Sequence, residues 1–191
     1  MRFMETIVRR SSIPDNCGVL IEYTIPASLK RIDFVISGYD GDGNKNFIIV
    51  ELKQWQKAYS TQKDGIVVTF LGKGERETTH PSYQAQSYKL FLKDFNENVY
   101  KGGISPYSCA YLHNYKELEP EPLKVDLYNE VIKDSPIFFK DDHKKLEDFI
   151  YRYVGKGNGV EILYEIDSGK IRPSKKLIEY VDSMFGILAS G

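Results

Sequence analysis

Cysteine is scarce in this chain, tryptophan scarcer, and net charge nearly nil. The two cysteines, Cys17 and Cys109, lie far apart and outside any CxxC or Cys/His grouping, so neither a zinc site nor a disulfide framework is expected. Two isolated thiols suit a reducing compartment, and a cytoplasmic location is expected. With 26 Lys and Arg against 27 Asp and Glu, the formal charge is −1. A polybasic coat is thereby excluded, since bulk affinity for nucleic acid comes from many cations at phosphates. A local basic groove is not. No apolar run has the length of a membrane span, MRFMETIVRRSS has no signal-peptide core, and no repeat or low-complexity tract is visible. The phosphate loop GxxxxGK[ST] is also missing, for GKGER after Leu71 does not match it.

What is present is a chain of 191 residues, 41% hydrophobic and 28% charged, enough for one globular domain with a proper core. Residues 1–17 predict a short helix, with Met4, Ile7 and Val8 on one stripe, then a loop at SSIPDN. GVLIEYTI reads as a strand. KRIDFVIS alternates, with Ile32, Phe34 and Ile36 on one face. GYDGDGNKN is a dense turn signal. FIIVELKQW is almost continuously apolar, as a buried central strand is. GIVVTFL is a further strand, and GKGERETT a turn leading into a return strand. HPSYQAQSYKLFLKDFNENV predicts a helix with Pro81 in its first turn and Gln84, Tyr88, Phe91 and Phe95 on one side. YSCAYL is a strand, ELEPEPLKVD a loop, and DLYNEVIKD and DDHKKLEDFIYRYVG are helices. EILYEI reads as a short strand or extended segment. PSKKLIEYVDSMFGIL is a final helix with Leu177, Val181 and Phe185 on its apolar side. The pattern predicts a single α/β domain over 1–191, with a mixed-sheet core near 18–115 and a helical C-terminal part near 120–191.

Chemistry concentrates in VELKQ. Residues two apart on a strand share a face, so Glu51 and Lys53 are neighbours, while Val50 and Leu52 point the other way. A carboxylate and an ammonium on an apolar central strand are costly unless paired or used. If the two strands around GYDGDGNKN form a hairpin centred on Asp42, Asp33 falls opposite Glu51 on the same face. Two facing carboxylates repel, and a divalent cation resolves the repulsion; Mg²⁺ takes one or two carboxylates together with waters and phosphate oxygens. The plain alternative is a structural salt bridge from Lys53. An apolar strand around the triplet and an aspartate at the partner position favour the metal site.

The spacing Asp33…Glu51-Leu-Lys53, with an apolar run before each acid, resembles the PD-(D/E)XK nuclease superfamily, although Ile32 stands where the signature proline would be. Gln84-Ala-Gln-Ser-Tyr88 is similar to the QxxxY element of its RecB-like members. EYTIPASLKRIDFVISG, IIVELKQW, THPSYQAQSY, CAYLHNY and RPSKKL resemble, in order along nearly the whole chain, the N-terminal region of a bacterial family of nuclease–helicase proteins, in which a superfamily-one helicase follows. That family has a longer helical segment before the first strand.

The resemblance implies a restriction-endonuclease-like mixed sheet flanked by helices. It implies Mg²⁺- or Mn²⁺-dependent hydrolysis of nucleic acid, DNA in first place, with a helicase in cis or in trans and a role in processing or in defence against foreign DNA. Asp33 and Glu51 are the implied metal ligands, with the Leu52 carbonyl and Glu22 as additions and Glu5 a weaker one. Lys53 would serve the attacking water or the phosphate, and Gln84 and Tyr88 would orient substrate. The bland counterparts are an exposed strand glutamate for Glu22, core packing for Tyr88 and Trp55, a helix-start role for His80, and a salt bridge for Arg31. His113 reads as a loop hydrogen-bonder and His143 as a solvated side chain. The rival functions are an inactive nucleic-acid-binding or scaffolding domain of the same fold, a ribonuclease, and an interaction module that binds no divalent cation.

Overall fold

The turn between residues 39 and 45 organises the sheet. In the computed structural model, which describes residues 2–10 and 12–189, the Asp40 carboxylate accepts from the backbone N–H groups of Asp42 at 3.0 Å and Asn44 at 2.9 Å. Gly43, at φ +81°, supplies the left-handed step that a Cβ would penalise. The strands in chain order are β1 (Gly18–Thr24), β2 (Arg31–Tyr39), β3 (Lys45–Lys53), β4 (Ala58–Ser60), β5 (Ile66–Leu71), β6 (Gly74–Thr79), β7 (Ser105–Leu112) and β8 (Ile137–Phe139). β2 and β3 pair antiparallel from Tyr39↔Lys45 to Phe34↔Val50, the register of a hairpin centred on residue 42. β1 adds antiparallel to β2, and β7 and β8 add in parallel beyond β3, giving a five-stranded mixed sheet in the order β1-β2-β3-β7-β8. β4, β5 and β6 form a separate antiparallel meander.

The helices are α1 (Arg2–Arg10), α2 (Pro81–Phe95), α3 (Glu97–Lys101), α4 (Asn129–Asp134), α5 (His143–Val154), α6 (Val160–Ser168) and α7 (Lys175–Ala189). They cover both faces of the large sheet. Phe34, Ile36, Ile48 and Val50 pack against Met4 and Ile7 of α1 and Leu146 and Ile150 of α5. Val35, Phe47 and Ile49 face the other way, onto Leu92 of α2 and Ile162 and Ile166 of α6. β3 is thus apolar on both faces, as its unbroken run predicts. Ile32 departs from the expected face. It lies past the point where β2 and β3 part, and it joins the α2 side. The third cluster joins Trp55, Ala58 and Val67 to Leu112, Tyr128 and Phe139, seating the meander against the C-terminal ends of β7 and β8.

Five readings of local sequence are corrected. EILYEI lies in α6 and is not extended: Ile162, Leu163 and Ile166 have the three-to-four spacing of a helix face, and all are buried. The long helix expected from His80 onward breaks at Asn96, whose side chain accepts from the Val99 N–H at 3.1 Å and starts α3. The helix expected over DLYNEVIKD is α only from Asn129, after a 3₁₀ turn at Asp126–Tyr128. IFF forms the edge strand β8, a segment too short to show a period, so part of the chain beyond Pro120 belongs to the main sheet. In α7, Leu177 is half-buried while Val181 and Phe185 are exposed. Gly159 lets the start of α6 lie against β2: its carbonyl accepts from Ser37 Oγ at 2.7 Å, and a Cβ at Gly159 would strike the Ser37 carbonyl. Among the described residues, no helix is long and apolar enough to cross a membrane.

Candidate active site

Alternation along β3 puts Glu51 and Lys53 on the face that carries Phe47 and Ile49, the face turned to α2. On β2, Asp33 shares that face with Val35. One step beyond Phe34↔Val50, the observed register sets Asp33 across from Glu51. The backbone ladder does not make that step. The Asp33 carboxylate takes its place, Oδ2 accepting from the Leu52 N–H at 2.9 Å. Because N–H and C=O of one strand residue point to the same side, the Leu52 carbonyl opens on the side of the strand where Asp33 stands.

Glu51 is almost sealed, 3% exposed. Its Oε1 accepts from Lys53 Nζ at 2.8 Å. Its Oε2 is buried and receives no hydrogen bond. The Asp33 carboxylate stands within hydrogen-bonding reach but offers a second acceptor where a donor is wanted. Burial pushes the Glu51 carboxyl up to about 7; the Lys53 ammonium works against that rise, and the Asp33 charge adds to it.

Lys53 has a second partner. Gln84 Oε1, on α2, accepts from Nζ at 2.9 Å, and Gln84 Nε2 donates to Tyr88 Oη at 3.1 Å. The spacing of one helical turn places both α2 residues in the same cluster, as the QxxxY pattern predicts. Nζ also lies 5.8 Å from the centre of the Trp55 ring. The ammonium is therefore fixed by a carboxylate, an amide and a ring face. Were this cluster catalytic, truncating Gln84 to alanine would lower turnover about tenfold, the effect of losing one hydrogen bond to a charged group, with Glu51 still paired; an unchanged rate would remove Gln84 from the machinery.

His80 explains where α2 begins. It is fully buried, its Nδ1 accepts from the Ser82 N–H at 3.1 Å, and its Nε2 faces the Leu123 carbonyl at 2.9 Å. The carbonyl requires the proton on Nε2, and burial holds the ring's pKa below its ordinary value. His80 is a buried helix cap.

The outlying candidates fall elsewhere. Glu22 stands opposite Asp33 in the β1–β2 register, at φ +54°, but its side chain is exposed and pairs with Arg31 at 3.0 Å. Arg31 is thereby occupied in the salt bridge that is its plain alternative. Glu5 lies on α1, packed against the opposite face of the sheet, and pairs with Arg9 at 2.9 Å. Trp55 is 8% exposed and belongs to the core under the meander. His143 is exposed at the start of α5. Among the described residues, no three His, Cys, Asp or Glu side chains converge as a metal-binding group. A two-carboxylate site with an unpaired buried oxygen suits Mg²⁺ or Mn²⁺, which complete their shells with water and phosphate oxygens; it does not suit zinc, which wants three or four nitrogen or sulfur donors.

Sequence reasoning missed the Leu52 N–H that anchors Asp33 and the exposed aromatics Tyr59 and Phe70 beyond Trp55. The first leaves no trace in residue type. The second carries a weak trace, aromatic residues at outward positions of short strands. Comparison of the chain with protein-family models, curated proteins and solved structures finds no match. What the site can do therefore follows from its own residues.

Proposed function

We propose that this chain is a divalent-cation-dependent nuclease that hydrolyses phosphodiester bonds, of DNA in first place. The observation that carries the reading is the buried Glu51 carboxylate with one oxygen unpaired, set beside Asp33 and next to a Lys53 ammonium held at 2.8 and 2.9 Å. Asp33 and Glu51 would hold Mg²⁺ or Mn²⁺, with the Leu52 carbonyl as a neighbouring oxygen donor. When bound, such a cation supplies positive charge at the phosphoryl group and makes a nearby water more acidic. Lys53 Nζ turns from Glu51 to the attacking water or to a phosphate oxygen and stabilises negative charge there as the bond breaks. Gln84 limits the arc through which that ammonium swings, and Tyr88 holds the Gln84 amide. The Leu52 N–H keeps Asp33 aimed inward. The motif resemblance supports the same reading, along with a helicase partner in cis or in trans and a cytoplasmic role in nucleic-acid processing or defence.

A second reading has one observation in its favour: the Lys53–Glu51 pair neutralises Glu51 without any cation. In that case the domain binds or scaffolds nucleic acid and has no catalysis. One assay separates the two, using plasmid, linear duplex, single-stranded DNA and RNA with Mg²⁺, Mn²⁺ or EDTA, alongside calorimetric titration of the metal. Cleavage that needs the cation and stops with EDTA is the expected result, and its preferred substrate distinguishes deoxyribonuclease from ribonuclease. Neither cleavage nor heat of metal binding would sink the nuclease.

A further inference from the structure

β3 does not end its work at Lys53. The next residues, Gln54 to Lys57, run along the meander, and there they line an open groove of about 630 Å³ together with Tyr59 and Phe70. Tyr59 on β4 pairs with Val68 on β5, and Phe70 is two residues along from Val68, so both rings stand on the outward face of the meander. They are 47% and 62% exposed, while Ala58, Val67 and Thr69 on the opposite face point inward and are buried. Tyr59 and Phe70 are diagonal neighbours on the outward face, close enough for both rings to serve one ligand.

Three observations fix the kind of partner. Trp55 lines this groove and its ring centre also lies 5.8 Å from Lys53 Nζ, so a single side chain stands between the groove and the candidate active site. Gln54 and Gln56 bring two amides that can donate to and accept from base edges or phosphates. Lys57 is exposed and, among the described residues, has no ion-pair partner, which leaves its charge for a phosphate. Glu75, across from Phe70, is the one carboxylate in the lining. Aromatic faces for stacking beside a cation and amides are the chemistry that holds unpaired nucleotides. A duplex hides its base faces and has no use for exposed rings.

We propose that the Trp55–Tyr59–Phe70 groove binds a single strand of nucleic acid leading out of the active site, so that the enzyme takes unpaired strand in preference to duplex. The position of the scissile phosphate rests on the nuclease reading above; the strand-binding surface does not.

The sequence contains a single tryptophan, so the fluorescence comes from Trp55, between the groove and Lys53, and the Tyr59 and Phe70 variants tell groove binding from binding at Lys53. The full chain, kept in EDTA to prevent cleavage, is titrated with a short oligothymidylate and with a blunt duplex of similar length. Fluorescence and the anisotropy of a labelled strand are read together. The single strand is expected to quench Trp55 and to bind at least tenfold more tightly than the duplex, and Tyr59→Ala or Phe70→Ala to weaken it roughly tenfold each, with duplex affinity unmoved. Both side chains are exposed, so a matching circular dichroism spectrum verifies the fold. With metal present, the same variants raise KM for single strands and leave kcat alone. Duplex binding equal to that of the single strand, or variants that bind the strand like the parent, would overturn the inference. So would an absence of any nucleic-acid binding, which would assign the face to a protein partner. Strand binding through these rings in a chain that never cleaves keeps the surface and sinks the nuclease; cleavage with unaltered binding in the variants does the reverse.

Discussion

Lys53→Ala is expected to lower cation-dependent cleavage by about 10²–10³-fold, the range seen when one charge-stabilising donor is removed from a closed site. The ammonium is held by Glu51 Oε1 at 2.8 Å and Gln84 Oε1 at 2.9 Å. Its loss also leaves Glu51 buried without its ion partner. The Glu51 carboxyl then rises further above its present value, because burial and Asp33 both push it up while only Lys53 holds it down. Part of the lost rate therefore comes from a site that holds a proton where it should hold the cation. Single-turnover cleavage measured from pH 6 to pH 9 separates the two effects. The share due to protonation recovers as pH rises, and the share due to the missing ammonium does not. Lys53→Arg is expected to recover little, since a planar guanidinium cannot present a compact point charge between an amide and a carboxylate. A Lys53→Ala enzyme with the parent's rate would remove the lysine from the mechanism and leave it a structural counter-ion.

Glu51→Gln is expected to abolish cleavage and, in the absence of metal, to make the chain more stable at pH 8. The folded protein holds the Glu51 proton up to about 7, while the unfolded chain releases it near 4.5. Between these values the folded state binds the extra proton, so stability falls as pH rises through the window and the full loss is felt above it. The difference corresponds to roughly 3 kcal/mol as an order of magnitude. A glutamine never ionises, still offers an amide oxygen to Lys53 Nζ, and abolishes the slope. Urea unfolding in EDTA at pH 5 and pH 8 measures this directly. The parent should lose stability between the two pH values by more than the variant does, and equal losses would contradict the assignment. Mg²⁺ added at pH 8 should restore stability to the parent, by binding the folded state alone, and do nothing for Glu51→Gln.

The pieces of this site were unequally legible. Asp33, Glu51 and Lys53 could be placed on one face because side chains alternate along a strand and because GYDGDGNKN sets a hairpin centre; both rules are local. Gln84 and Tyr88 could be placed together because a helix repeats in under four residues. Glu22 lies on the neighbouring strand, β1, as its place in the sequence implies. Its direction was not readable, since the left-handed backbone at Glu22 and the reach of Arg31 are outcomes of how β1 and β2 twist together. EILYEI misled for a related reason. Six residues with four apolar ones fit either period, and packing against β1 and β2 decided for the helix.

The sequence by itself determined the mixed α/β character, the β2–β3 register and the joint presence of two carboxylates and a lysine on one sheet face, because each depends on spacing within about twenty residues. Only the tertiary structure decided that α2 brings Gln84 to Lys53, that α1 carries Glu5 to the far side of the sheet, that Asp33 is held by a backbone N–H, and that the rings of the meander line up beyond Trp55. Those facts turn on how elements distant in the chain pack, and burial, which alone makes an unpaired Glu51 oxygen costly, belongs to the assembled core and to no segment of it.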